Sequence, residues 1–178
     1  EQDFLDKYGL EPNNAILAED KHEALFTEIL ADARREFSAG GAAQNSMRAA
    51  QWLLPPGSCT FVGCVGNDEQ AAQLRQVAEA DGLRVEYAVA AEHPTGLCAC
   101  LIKDHGRSLV ARLGAANHYP PGHVDTIMPI IQSARIIYCS GYFLTVAPSV
   151  ITRVMGEASA EQITALNLSA PFIPQFFG

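Results

Sequence analysis

The sequence is poor in lysine: Lys7, Lys21 and Lys103 are the full complement, and none follows a glycine. That removes the phosphate loop G-x-x-x-x-G-K-[ST], whose lysine must reach the β- and γ-phosphates. No G-x-G-x-x-G stands between a strand and a helix, and no G-x-S-x-G elbow exposes a serine, so the dinucleotide and serine-hydrolase signatures are missing too. The five cysteines, Cys59, Cys64, Cys98, Cys100 and Cys139, form no C-x-x-C, and the five histidines form no H-E-x-x-H, which leaves a metal site without its usual frame. All five thiols fall in apolar stretches and read as reduced cysteines of an intracellular protein. No apolar run approaches the ~20 residues that span a bilayer, and the opening does not read as a signal peptide. The chain starts at Glu1 rather than Met, so the natural start is expected upstream. A formal charge of -8 argues against a nucleic-acid polymer or an anionic membrane as partner, since both need a basic face.

What is present suits one globular unit. The 178 residues can bury a real core, and 48% hydrophobic against 18% charged residues is a folded composition. KHEALFTEILADARRE (21–36) carries the i, i+4, i+8 stripe of an amphipathic helix, with Asp20 as its expected N-cap. A second helix is expected over about 42–54, stopped by Pro55-Pro56, then a strand over 59–66 and a helix over 69–81. RVEYAVA (84–90), TGLCACLIK (95–103) and RSLVARLG (107–114) read as an antiparallel ribbon with a turn at Asp104-His105-Gly106. Alternation then resumes, with helices at about 123–134 and 147–159 and strands over 134–141 and 162–169. Such alternation predicts a mostly parallel sheet with helices on both faces, and the antiparallel insert predicts a flap or lid. The end at PFIPQFFG, where another unit would normally start, reads as part of a domain.

Four features could carry chemistry. Gly40-Gly41 ahead of a helix exposes backbone N–H groups, and Asn45 in the first turn adds an amide that both donates and accepts. The ordinary alternative is a turn that only needs positive φ. Gly141-Tyr142-Phe143 follows a strand, where α/β sheets bind ligands and an aromatic can stack on a base, although such a ring is more often core. Arg107 stands just after a turn, where a solvated guanidinium is the usual outcome. Asn167-Leu168-Ser169-Ala170-Pro171-Phe172 again puts polar groups and an aromatic at a strand end.

Six runs, SAGGAAQNSMRAAQWLL, TFVGCVGND, HPTGLCACLI, GRSLVARLGAAN, GYFLTV and LNLSAPFI, resemble in order and spacing the N-terminal half of the adenosine kinases. These belong to the ribokinase-like, phosphofructokinase-B type kinases. FLDKYGL and NNAILAEDKHEALF are also like the eukaryotic members, so the likeness covers nearly the whole chain. It implies an α/β, ribokinase-like fold: a mostly parallel sheet flanked by helices, with an antiparallel β lid, incomplete at both ends. Residues 1–178 would then be the N-terminal fragment of one kinase domain, with lid strands near 14–19 and 84–114. The implied reaction moves the γ-phosphate of ATP to the 5′-hydroxyl of adenosine with Mg²⁺, giving AMP in purine salvage.

By that resemblance Gly40, Gly41 and Asn45 would hold the ribose diol, which needs a donor and an acceptor and close backbone approach. Tyr142 would stack on adenine and Phe172 would close the pocket. Leu17, Cys98, Leu109, Ala111 and Leu113 would form the apolar lid wall, positions 109, 111 and 113 sharing one strand face. Arg107 would meet the transferring phosphate. The family's first strand, with its ribose-binding aspartate, is expected before Glu1. The catalytic-base aspartate, the ATP pocket and the Mg²⁺-associated acidic residues are expected after Gly178. The 178 residues alone are therefore expected to be inactive, and no metal ligand is assigned among them. A cytoplasmic location (the nucleus also open) and a monomeric complete enzyme are expected. The alternative is a non-catalytic fragment that binds a nucleoside or associates through a lid edge. Another sugar kinase of the fold fits less well, because it would need polar groups where Tyr142, Phe172 and the apolar lid stand.

Overall fold

Helical stripes and short β-branched runs sort the chain into alternating elements. They are α1 (Gln2–Tyr8), β1 (Ala15–Leu17), α2 (Glu23–Ala31), α3 (Ala42–Leu53), β2 (Thr60–Val65), α4 (Glu69–Ala80), β3 (Arg84–Val89), β4 (Leu97–Lys103), β5 (Gly106–Arg112), α5 (His123–Ser133), β6 (Ile136–Ser140), α6 (Pro148–Gly156), β7 (Ile163–Asn167) and α7 (Phe172–Phe177). Three 3₁₀ turns join them, at Asp20–His22, Gly114–His118 and Gly141–Thr145. The computed structural model describes residues 2–103, 105–169 and 172–177, the side chains of residues 2, 3, 103, 172, 176 and 177 excepted.

The strands form three small sheets among the described residues, ordered β1-β5-β4, β2-β3 and β6-β7. In the last two the strands run parallel, each pair joined through a helix on the sheet face, as a parallel connection requires. The expected mostly parallel α/β core is present, its parallel strands standing as the two pairs β2-β3 and β6-β7 among the described residues. β2 has β3 as its single neighbour and β6 has β7, so each keeps one unpaired edge. Between them lies a core built on Ala88, Tyr119, Val124, Ile127, Ile137, Val150 and Val154, with Val62 and Cys139 packed against it.

Two boundaries differ from the periodicity, each for a local reason. The helix expected over 21–36 stops at Ala31, because the Asp32 carboxylate takes the Arg34 N–H at 2.8 Å and its guanidinium at 2.7 Å. A short acidic side chain here outcompetes the next turn of helix. Those Arg34 bonds hold Asp32 down at about 2. Asp20 is not the cap of this helix: it lies in a 3₁₀ turn capped by Glu19, whose N–H donates to His22 Nδ1 at 2.9 Å, and His22 stands at the N-cap of α2.

The lid differs more. The stretch 84–90 was expected in the antiparallel ribbon, but β3 pairs parallel with β2 from Thr60↔Arg84 to Val65↔Val89. The reason is burial: Leu83, Val85 and Tyr87 pack with Ala78 and Leu74 of α4, which docks this strand on the core. The lid is instead β4 and β5, antiparallel, with β1 added parallel to β5. One lid face packs Ile16, Ala99 and Val110 against Tyr8, Leu25 and Phe26 of α1 and α2.

Leu25 is fully buried at the centre of that contact. Leu25→Ala should destabilise the lid by about 2–5 kcal/mol through lost burial and the cavity left behind. Urea titration followed by hydrogen exchange in β4 and β5 checks this; an unchanged midpoint with unchanged exchange would show that the lid does not depend on these helices.

Candidate nucleoside site

With one lid face committed to helices, the other face is left bare. Strand register sets its pattern: Leu17 stands opposite Ala111, and Ala111 opposite Cys98, so three strands supply one row. The next row is Ala15, Leu109 and Cys100, and the row after it pairs Arg107 with Ile102. Leu17 is 52% exposed and Ile102 71%, while Val110 on the opposite face is 0%. The face is apolar and thiol-bearing, with a single guanidinium at its far end.

The Gly-Gly turn is held from beneath. Gly41 has φ +94°, a conformation that strains any side chain, and its carbonyl accepts the Asn45 N–H at 2.8 Å to start α3. One residue before Asn45, Gln44 is 1% exposed and accepts a short hydrogen bond from the Tyr87 hydroxyl of β3. Burial pushes that phenol up to about 12, so it stays a donor at any physiological pH. Because Gln44 points inward, Asn45, about 100° further round the helix, faces out. Its Oδ1 accepts from Arg48 at 3.3 Å, and Arg48 is fixed by Asp81 at 2.5 Å, so Asn45 is left with its Nδ2 donors to present.

At the carboxyl end of β6 two aromatics separate. Phe143 turns in and meets Tyr119 edge-to-face at 5.1 Å, whereas Tyr142 is 45% exposed. Gly141 allows this close turn: a Cβ there would stand 2.5 Å from the Asn167 carbonyl of β7.

The lid is pinned where it leaves the core. The Asp68 carboxylate caps α4 by accepting the Ala71 N–H at 2.9 Å. It also accepts the Thr95 N–H at 2.7 Å and the Thr95 hydroxyl at 2.6 Å. The same hydroxyl accepts the Gly66 N–H at 2.9 Å, and Pro94 accepts from Ala115 at 2.7 Å across the two ends of the ribbon. A Cβ on Gly66 or Gly114 would collide with the backbone, at 2.4 Å from His93 O and 2.2 Å from Pro94 O.

The bare lid face, the Gly-Gly turn and Tyr142 border one open trough of about 2140 Å³. A site for one small ligand takes about 300–1,000 Å³, so this trough holds more than a nucleoside. Gly40, Gly41, Leu17, Cys98, Ala111, Leu113 and Tyr142 line it; Asn45, Leu109 and Arg107 do not. The side chain of Phe172 lies outside the described residues. Reading the sequence missed Cys100, Ile102, Gln44 and Asp68. Strand alternation could have found the first two; nothing local signals the others, whose partners lie 27 to 43 residues away.

The profile of the pfkB family carbohydrate kinases matches residues 2–178. The chain belongs to this family. Its sequence is 42% identical over 177 residues to the adenosine kinase of Schizophyllum commune, covering 98% of this chain and 52% of that protein. It is 43% identical over 182 residues to the adenosine kinase of Dictyostelium discoideum, covering 99% of this chain and 53% of the relative. Among solved structures, the Anopheles gambiae adenosine kinase in complex with P1,P4-di(adenosine-5) tetraphosphate superposes with a TM-score of 0.92 at 45% identity, over 99% of this chain and 54% of that one. The Schistosoma mansoni adenosine kinase in complex with adenosine and AMP gives a TM-score of 0.92 at 30% identity, over 99% and 54%. The chain spans about half the length of the relatives it matches.

Burial pushes the Asp68 carboxyl up, but the hydrogen bonds from Thr95 and Ala71 more than offset this and hold it below its ordinary value. A lowered carboxyl stabilises the fold above the unfolded value of about 3.9, and that stability is lost as pH falls through the lowered folded value. Asp68→Asn should therefore lower stability at pH 7 by about 1 kcal/mol, the difference between hydrogen bonds to a charged and to a neutral acceptor. Its deficit should shrink as pH falls below 4, measured by denaturant titration across pH. A deficit that stays constant with pH would mean that the carboxylate charge does not hold the lid root.

Proposed function

We propose that this chain is the nucleoside-binding half of a kinase that moves the γ-phosphate of ATP to the 5′-hydroxyl of adenosine, giving AMP in purine salvage. The observation that carries the reading is the row Leu17–Ala111–Cys98 on the bare lid face, sharing one trough with the Gly40-Gly41 turn and Tyr142. An apolar wall, an exposed aromatic and a turn with free N–H groups are what a flat base joined to a diol requires.

Each residue then has a role. The Gly41 turn admits the ribose closely, and Asn45 donates from Nδ2 to a diol oxygen. Tyr142 stacks on the base, and Phe172 is assigned the closing aromatic. Leu17, Cys98, Leu109, Ala111 and Leu113 exclude water from the base as the lid closes. Arg107, at the lid's far end, offsets charge that develops on the moving phosphoryl group. ATP and the catalytic base are assigned to parts of the enzyme beyond these residues, for which the trough leaves room beside a nucleoside. The Mg²⁺-associated acidic residues are likewise assigned beyond these residues, and no step is routed through the ion; the described residues hold no group of three or more His, Cys, Asp or Glu that could bind a metal. Among them, no helix is long and apolar enough to cross a membrane. A cytoplasmic, monomeric enzyme is the proposal for the complete protein.

Steady-state kinetics on a full-length form of the enzyme, with adenosine and 2′-deoxyadenosine, test these roles together. Asn45→Ala should raise KM for adenosine by the equivalent of about 1–3 kcal/mol and lose discrimination against the deoxy substrate. Arg107→Ala should lower kcat with a smaller change in KM, because its partner charge exists only in the transition state. Tyr142→Ala should weaken nucleoside binding by about 1–3 kcal/mol, and Tyr142→Phe should be mild. Unchanged deoxy discrimination in Asn45→Ala removes the ribose role, and turnover of adenosine by residues 1–178 alone contradicts the assignment of the base.

A further inference from the structure

Cys98 and Cys100 lie two apart on β4, so both side chains stand on the bare face of the lid, while Ala99 between them is buried at 6% on the other. Both are free and exposed, unlike Cys59, Cys64 and Cys139, which are half-buried. Across the register they face only Ala111 and Leu109, neither of which offers a competing ligand. β4 is the outer strand of its sheet, so no further strand of that sheet crowds the pair from its far side.

Spacing decides what this pair can do. Alternate residues on a strand stand about 6.7 Å apart. A disulfide needs Cβ atoms about 3.5–4.5 Å apart, so the pair does not close on itself without bending the strand. Two thiolate–metal bonds of about 2.3 Å laid in line hold their sulfurs about 4.6 Å apart. Thiols leaning toward each other by about 1 Å each from that strand spacing meet this span. A four-ligand zinc site would need two more donors, and the described residues provide no group of three or more metal ligands. A linear, two-coordinate ion needs none.

We propose that Cys98 and Cys100 form a two-thiolate site for a soft monovalent cation of the Cu(I) class, which thiolate sulfur selects over harder ions. Uptake breaks two S–H bonds and forms two S–Cu bonds, releasing two protons to solvent with no change in oxidation state. The site depends on the lid register alone and not on any reading of the kinase reaction.

The test is anaerobic titration of the reduced, metal-free chain with Cu(I) against a competing chelator, followed by X-ray absorption at the copper edge. One Cu(I) should bind with two sulfur neighbours at a single distance. Loss of either thiol removes the chelate advantage, so Cys98→Ser and Cys100→Ser should each weaken binding by about 10²–10⁴-fold. Circular dichroism identical to wild type shows that the variants are folded. A Cys64→Ser, Cys139→Ser double variant should bind as wild type does. No stoichiometric binding by wild type, unchanged affinity in either lid variant, or loss in the Cys64/Cys139 variant would each overturn the proposal.

Discussion

One carboxylate ties the two halves of this chain together. Asp68 starts α4 in the core and at the same time holds both the N–H and the hydroxyl of Thr95, the residue from which the lid ribbon departs. Thr95 is buried and passes the link on to Gly66 at the end of β2. The pose of the bare lid face over the trough follows from this joint. Three hydrogen bonds on one carboxylate are a directional constraint, worth more as geometry than as energy.

The opposite wall has a comparable anchor of neutral groups. Tyr87 belongs to the strand that β2 holds in register, and its hydroxyl fixes Gln44 in the first turn of α3. Gln44 in turn sets which way Asn45 and the Gly-Gly turn face. Both walls therefore refer back to the pair β2-β3: the lid through Gly66 and Thr95, the turn through Tyr87. The floor is open by contrast, because β2 and β6 each keep an unpaired edge bordering the trough. Unpaired edges invite strand pairing, and among the described residues β2 and β6 share that exposure with β4 at the outer edge of the lid.

Much of this was legible in the sequence, and the misses share a cause. The helix at 42–54 and the strands at 59–66, 134–141 and 162–169 were readable within one or two residues, because periodicity and Pro55-Pro56 act locally. Leu17, Ala111 and Cys98 fall in one row as a shared wall demands, although two of the three strands meet 94 residues apart in sequence. The assignment of 84–90 to the lid failed because a six-residue strand carries no mark of its partner; burial beside α4 decided it. Asp32 ended a helix that its apolar stripe would have continued, through a side-chain bond no periodicity encodes. Tyr142 and Phe143 were indistinguishable in sequence, and only the Tyr119 contact separates the inward ring from the outward one.

In the proposed reading, the bare lid face and the Gly-Gly turn act as two walls of one nucleoside site. Hydrogen exchange by mass spectrometry on a full-length form of the enzyme, with and without saturating adenosine, addresses it directly. Added protection is expected in two segments together, 40–45 and 97–112, which are far apart in sequence and both line the trough. Protection confined to one of them, or to neither, would contradict it.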